Sequence, residues 1–287
     1  RPNLFMVLVG KRGVVMKSAS AQDAIEYFRN CGIADHFAPS MANAADKSVV
    51  FEVGSPEALG IQMARLNCKN AVLFYDELTA LTNKAGIESS SLTARLLTLY
   101  ESGNFQNLVK SNKESYAVAP GTYCASLIAC CTEKNFLTQW AKMSGKSSGL
   151  DDRFFFLYQP EKFKPMTPMV HVPTVLGAIQ TRKWIDKALA QKEYEMPDKL
   201  ELQHRMQDLG NRVELRAEKF ALYFAIDRGL ETVDADCIER ALALVDYEKA
   251  VKKYIAPFEG STREGTVQLG IINALRRGPS GMDYRDL

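Results

Sequence analysis

At 287 residues, with 46% hydrophobic and 24% charged residues, the chain has room for one α/β domain and a smaller helical one, and its composition is that of an ordinary globular protein. A net charge of only +2 excludes a global field that would draw the chain to nucleic acid or a membrane, so any such surface must be local. No apolar stretch reaches transmembrane length, no signal peptide stands out, and the six cysteines form no CxxC pair; buried reduced thiols in a cytosolic-type compartment fit them better than disulfides or a zinc site.

The chain opens without Met, directly on a strand pattern, and stops at Asp286-Leu287 inside a helical pattern, so a fragment of a longer protein is expected. Leu4 to Val9 is an unbroken apolar strand that runs into Gly10-Lys11-Arg12-Gly13-Val14-Val15-Met16-Lys17-Ser18, and Ala21 to Phe28 then has helical spacing. Strand, glycine-bearing loop, Lys-Ser and helix are the context of a phosphate loop. Glycines let backbone N–H groups wrap phosphate oxygens, the helix N-terminus adds its positive end, the lysine reaches the outer phosphates and the hydroxyl takes Mg²⁺. The fit departs from the standard pattern: Met16 stands where a glycine directly precedes the lysine, and Gly10 to Lys17 is one residue longer. A basic strand-to-helix turn is the plain alternative.

Val49 to Val53 is the next strand, and Ser55 with Pro56 reads as an N-cap and first helical position. Ala71 to Tyr75 then runs without alternation into Asp76-Glu77, as expected of a central strand covered on both faces. Its carboxylates emerge at the strand's C-terminal end, where open α/β sheets bind ligands; an ordinary acidic loop is the other reading. Beyond a helix striped with Leu92, Leu96, Leu99 and Tyr100, Phe105 to Pro120 suggests a β-hairpin whose tip carries Lys110 and Lys113. Those lysines either contact nucleic-acid phosphates or keep an exposed hairpin soluble.

Ala125 to Cys131 is another buried strand, ending on Thr132; a helix from Glu133 to Met143 follows, and Asp152-Arg153 leads into a fifth strand, Phe154 to Tyr158. Repeated β-α alternation predicts an α/β fold with a five-stranded, mainly parallel sheet covered by helices. After Pro160 a proline-marked linker gives way to helices over Val175 to Lys192, Asp198 to Ala225 and Asp234 to Ile255. Arg212 and Arg216 share one helical face, as a nucleotide sensor or as a solvated basic face. The expected division is a core over 1–160, linker and helical lid over 161–258, and the opening of a winged-helix-like segment over 259–287.

In this order the pieces resemble a P-loop ATPase of the AAA+ (ASCE) type, most closely the helicase portions of phage and mobile-element primase-helicase proteins. Gly10, Gly13, Lys17 and Ser18 match the variant loop of those relatives, and Ser55-Pro56-Glu57-Ala58-Leu59 matches their Ser/Thr-Pro-Glu-x-Leu. The resemblance spans about Asn3 to Tyr254. It implies that Lys17 contacts the β and γ phosphates of ATP, Ser18 and Asp76 hold Mg²⁺, Glu77 polarises the attacking water, and Thr132 reports on the γ-phosphate. It further implies that Arg153 reaches a neighbour's nucleotide; pairing with Asp151 or Asp152 is the alternative. The implied protein is an ATP-hydrolysing DNA motor, a homo-oligomeric ring with a hexamer favoured, in the cytoplasm of a bacterium or phage-infected cell. A replication initiator or loader that assembles on DNA without unwinding is the second class.

Overall fold

The structure, a computed structural model, describes residues 3–13, 15–86, 91–110, 115–144, 149–159, 175–190, 194 and 211–255, together with 267 and 271. Its strands in chain order are β1 Phe5–Gly10, β2 Ala34–His36, β3 Ser48–Phe51, β4 Asn70–Tyr75, β5 Phe105–Asn107, β6 Tyr116–Val118, β7 Cys124–Thr132 and β8 Phe154–Gln159. The helices are α1 Lys17–Asn30, α2 Pro56–Arg65, α3 Leu78–Gly86, α4 Leu92–Tyr100, α5 Glu133–Ser144, α6 Val175–Ala190, α7 Asn211–Asp227 and α8 Ala235–Ile255. The fold is α/β, with a central parallel sheet in the order β2-β3-β4-β7-β1-β8, six strands rather than the five expected. The extra strand, β2, is three residues at the sheet edge. Asp35 and His36 give it no apolar run to announce it.

Register divides the side chains between two cores. Phe5, Val7 and Val9 pair in rows with Leu127, Ala129 and Cys131 and with Phe154, Phe156 and Tyr158. They face Leu59, Leu78, Leu96, Phe136 and Trp140 from α2 to α5. On the opposite face Met6 and Phe155 pack against Phe220 and Ala221 of α7 and Val245 of α8. β4 is buried at Ala71, Leu73 and Tyr75 and only half-buried between them, so its unbroken apolar run is covered on both faces but unequally.

Local signals explain the element ends. The Ser55 hydroxyl accepts the Ala58 N–H at 3.1 Å, the cap the sequence predicts. α1 begins four residues earlier than its apolar spacing suggests, because Lys17 to Ser20 lie on its outer turn with no core face to show. β5 and β6 pair antiparallel, Phe105 opposite Val118, as the expected hairpin. α6 is pinned to α1 by a 2.8 Å hydrogen bond between Tyr27 and Thr181, and to the end of α7 by Trp184 Nε1 donating to the Ile226 carbonyl, also 2.8 Å. Most of the expected linker and the whole turn into the winged-helix-like segment lie outside the described residues. Among those residues no helix is long and apolar enough to cross a membrane.

Candidate functional site

Three strand ends meet at the carboxyl edge of the sheet. β1 ends at Gly10, which pairs with Thr132 at the end of β7 and with Gln159 at the end of β8. β4 pairs with β7 as far as Tyr75 opposite Ala129, so Asp76 and Glu77 continue past the last rung beside Cys130 and Cys131. Phe136 and Trp140 of α5 pack on Phe156 in the main core, whereas α1 lies over Cys130 on the other face. The chain leaving β1 and the chain leaving β7 thus part to opposite faces, the arrangement that in open α/β sheets marks the ligand-binding crevice above the strand ends.

The glycine loop bends where Gly13 takes φ +75°, a left-handed turn that favours glycine. Val15 N–H donates to the Lys11 carbonyl at 3.3 Å and Lys17 N–H to the Val15 carbonyl at 2.8 Å, so the loop is held by its own backbone. Lys17 Nζ folds back to donate to the Gly10 carbonyl at 3.1 Å. Met16 stands half-exposed at the N-cap of α1 and provides no capping hydrogen bond. No acidic residue occupies the first turn of α1. The Lys17 N–H is taken by the Val15 carbonyl, and neither Met16 nor an acidic side chain of that turn caps the Ser18 and Ala19 N–H groups that follow. Lys11, Arg12 and Gly13 are exposed; Val14 lies outside the described residues.

Cys130 links the loop to the acids. Burial pushes its thiol up to about 11, against a hydrogen bond from Ser18; the Asp76 and Glu77 carboxylates push it the same way as burial, and Lys17 pulls it down. Burial also raises Cys131 to about 12, with Glu77 raising it further and Lys17 opposing. Ser18 thus reaches the Cys130 thiol, and Lys17, Asp76 and Glu77, which come from two separated stretches, lie near enough for their charges to act on it. Asp76 is exposed and Glu77 half-buried, with the Thr79 hydroxyl 3.4 Å from Glu77 Oε1. Thr132 is half-buried on the Gly10 rung. From sequence alone Cys130 is only one residue of a buried strand. The signal that could have found it is the alternation that sends Cys130 and Cys131 to opposite faces.

The hairpin and the arginines lie apart from this crevice. Arg95 holds the hairpin, its Nη1 donating to the Gln106 carbonyl at 2.6 Å and its guanidinium 5.7 Å from the Phe105 ring centre. Lys110 is exposed near the tip, and Lys113 lies outside the described residues. Arg153 precedes Phe154, which pairs with Phe5, so it sits at the amino edge of the sheet, the length of β1 away from its own chain's loop. Its Nη2 meets Glu101 at 3.0 Å rather than Asp152, and its Nη1 donates to the Gly149 carbonyl at 2.8 Å; the Asp151 side chain lies outside the described residues. Arg212 is the residue that pairs with Asp152, at 3.3 Å. Arg216 corrects the expectation of a solvated basic face: it is fully buried and paired with Glu248. Both arginines lie at the amino edge of the sheet, beside Asp152 and Phe154. Compared with known proteins, the chain matches no family model and no curated protein.

Proposed function

We propose that the chain binds ATP with Mg²⁺ in the crevice above β1, β7 and β4 and hydrolyses it, as the P-loop ATPase of a ring motor that acts on DNA. The observation that carries this reading is that Lys17 and Ser18, at the start of α1 after β1, and Asp76 and Glu77, directly after β4, stand at the same carboxyl edge of one parallel sheet. The donor set suits the metal: a hydroxyl and a carboxylate are hard oxygen ligands, and magnesium commonly takes one or two such groups with phosphate oxygens completing its shell. Magnesium held there supplies neutralisation of charge on the β and γ oxygens. The uncapped start of α1 offers N–H donors and a positive dipole end to the phosphates. Lys17 exchanges the Gly10 carbonyl for phosphate oxygens, Glu77 orients the attacking water, and Thr132, level with Gly10, reads the outer phosphate. The exposed hairpin bearing Lys110 is the proposed DNA contact, and its anchoring through Arg95 suits an element that must transmit force.

Measured ATP affinity and turnover test the site. Lys17→Ala should lose binding, and Glu77→Gln should bind ATP yet hardly hydrolyse it. Equal affinity and turnover in both variants and the wild type would reject the assignment.

The second reading, an initiator or loader that uses nucleotide to assemble on DNA without unwinding it, is favoured by one observation. Arg153 is 7% exposed and engaged within its own chain, which removes a ready donor for a neighbour's site. Strand displacement with and without ATP separates the two: a motor unwinds only with ATP, and a loader binds DNA in an ATP-dependent way without unwinding.

A further inference from the structure

The nucleotide reading above places the outer phosphates between Lys17 and the carboxylates, and so on the β7 and β4 side of β1. The rest of a nucleotide, running away from the acids, passes toward the other neighbour of β1, which is β8. There Val9 pairs with Tyr158 and Gly10 with Gln159, so Tyr158 stands one strand from the start of the loop. Its ring packs on Tyr254 of α8, centroids 5.2 Å apart and planes at 39°. Tyr254 is 62% exposed, although α8 carries ample buried surface elsewhere. The step beneath it is rigid: the Tyr247 hydroxyl accepts the Tyr158 N–H at 2.9 Å and donates to the Tyr158 carbonyl at 3.0 Å. Partial burial, with Tyr254 and Glu133 adding to it, pushes the Tyr158 phenol above its ordinary pKa.

We propose that Tyr254, backed by Tyr158, is the platform on which the nucleobase stacks. An aromatic ring packed on a second ring and open on its other face is an efficient stacking partner, because the packing already limits its side-chain freedom. Every base has a π-face, so the platform distinguishes a nucleotide from a bare polyphosphate without selecting among bases.

The test is equilibrium binding of ATP, GTP and inorganic tripolyphosphate, each with Mg²⁺, to the wild type, Tyr254→Ala and Tyr254→Phe. Removing the ring should weaken ATP and GTP by about tenfold or more while leaving tripolyphosphate unchanged, and phenylalanine should restore both nucleotides. An unchanged ATP affinity in Tyr254→Ala overturns the platform, as does an equal loss for tripolyphosphate. Wild-type protein that binds ATP no better than tripolyphosphate overturns the platform alone. Wild-type protein that binds neither overturns the nucleotide reading and the platform with it.

Discussion

Arg216 Nε lies 2.9 Å from Glu248 Oε2, with the two side chains 0% and 3% exposed, which makes this the most deeply buried ion pair among the described residues. It joins α7 to α8, and Arg216 Nη1 extends the joint to β8 by donating to the Asp152 and Phe154 carbonyls at 2.9 and 3.2 Å. Lys252 reaches the other Glu248 oxygen at 2.8 Å. The Nε–H and the carboxylate are close without being aligned as a hydrogen bond, and Arg216 Nη2 has no partner among the described residues. The attraction is therefore mainly Coulombic. Its place in the fold is the seam where the helical segment meets the amino edge of the sheet.

Removing one partner of such a pair leaves a buried charge uncompensated. Glu248→Ala should destabilise the protein by about 3–5 kcal/mol, read as a fall in the urea midpoint at unchanged slope. Replacing both residues with apolar ones, Arg216→Met with Glu248→Leu, should recover most of that loss. A double variant no more stable than Glu248→Ala would mean that the carbonyl contacts of Arg216, rather than the pair, hold the seam.

Lys219 occupies the same seam and gives it a pH dependence. Its Nζ lies 3.7 Å from the Tyr100 ring centre and donates to the Asn3 carbonyl at 2.9 Å. Burial lowers its pKa to about 8, Glu101 opposing and Arg216 adding to the fall. The unfolded chain then holds a proton on Lys219 that the folded chain has released, in the window from about 8 up to the ordinary value of 10.5. Stability from this residue rises with pH through that window and is flat below it. Cys130 and Cys131, raised by burial, act the opposite way above their ordinary value of 9.0. Comparing wild type with Lys219→Met between pH 7.5 and 9 isolates the lysine, and the difference in stability between them should change in the wild type's favour as pH rises. A constant difference refutes the assignment.

Tyr116 of the hairpin lies directly against Gly60 of α2, where a Cβ would collide with the ring. Gly60→Ala should cost about 1–3 kcal/mol by forcing the ring away, despite the better helix propensity of alanine. The cost should shrink in a Tyr116→Leu background, because the two changes act on one contact. Additive effects in thermal unfolding would place the clash elsewhere.

What the sequence made legible follows from the physics of each element. Strands β1, β4, β7 and β8 were readable because a strand covered on both faces must be apolar throughout, and their order with the glycine loop and Asp76-Glu77 located the crevice. Ser55 was readable because capping is local. β2 was not, since a three-residue edge strand can be polar, and Cys130 was not, since its importance lies in Ser18 and Asp76 arriving from elsewhere in the chain. Arg216 misled for a related reason. Its spacing from Arg212 shows that the two share a helix face, but only the docking of α7 against β8 and α8 decides that this face turns inward.

Arg153 gives the last and most discriminating prediction. The resemblance to ring ATPases assigns it to a neighbour's nucleotide, whereas its own contacts bind it to Glu101, to the Gly149 carbonyl and to the face of Tyr100, 5.7 Å from the ring centre. Glu101 is half-exposed and stays hydrated without its partner, so the pair itself contributes little. The buried guanidinium hydrogen bond and packing matter more, and Arg153→Ala should lose about 2 kcal/mol of stability. A structural role predicts that ATP turnover per folded molecule survives, and that mixing Arg153→Ala with Lys17→Ala adds nothing beyond the activity of the first. A role in trans predicts the reverse: near-normal stability and ATP binding, turnover lower by roughly 10³-fold or more, and partial recovery in the mixture, where an intact loop can meet an intact arginine. Urea midpoints and mixed-oligomer turnover, read together, separate these outcomes, because only the trans role lets activity return without any gain in stability.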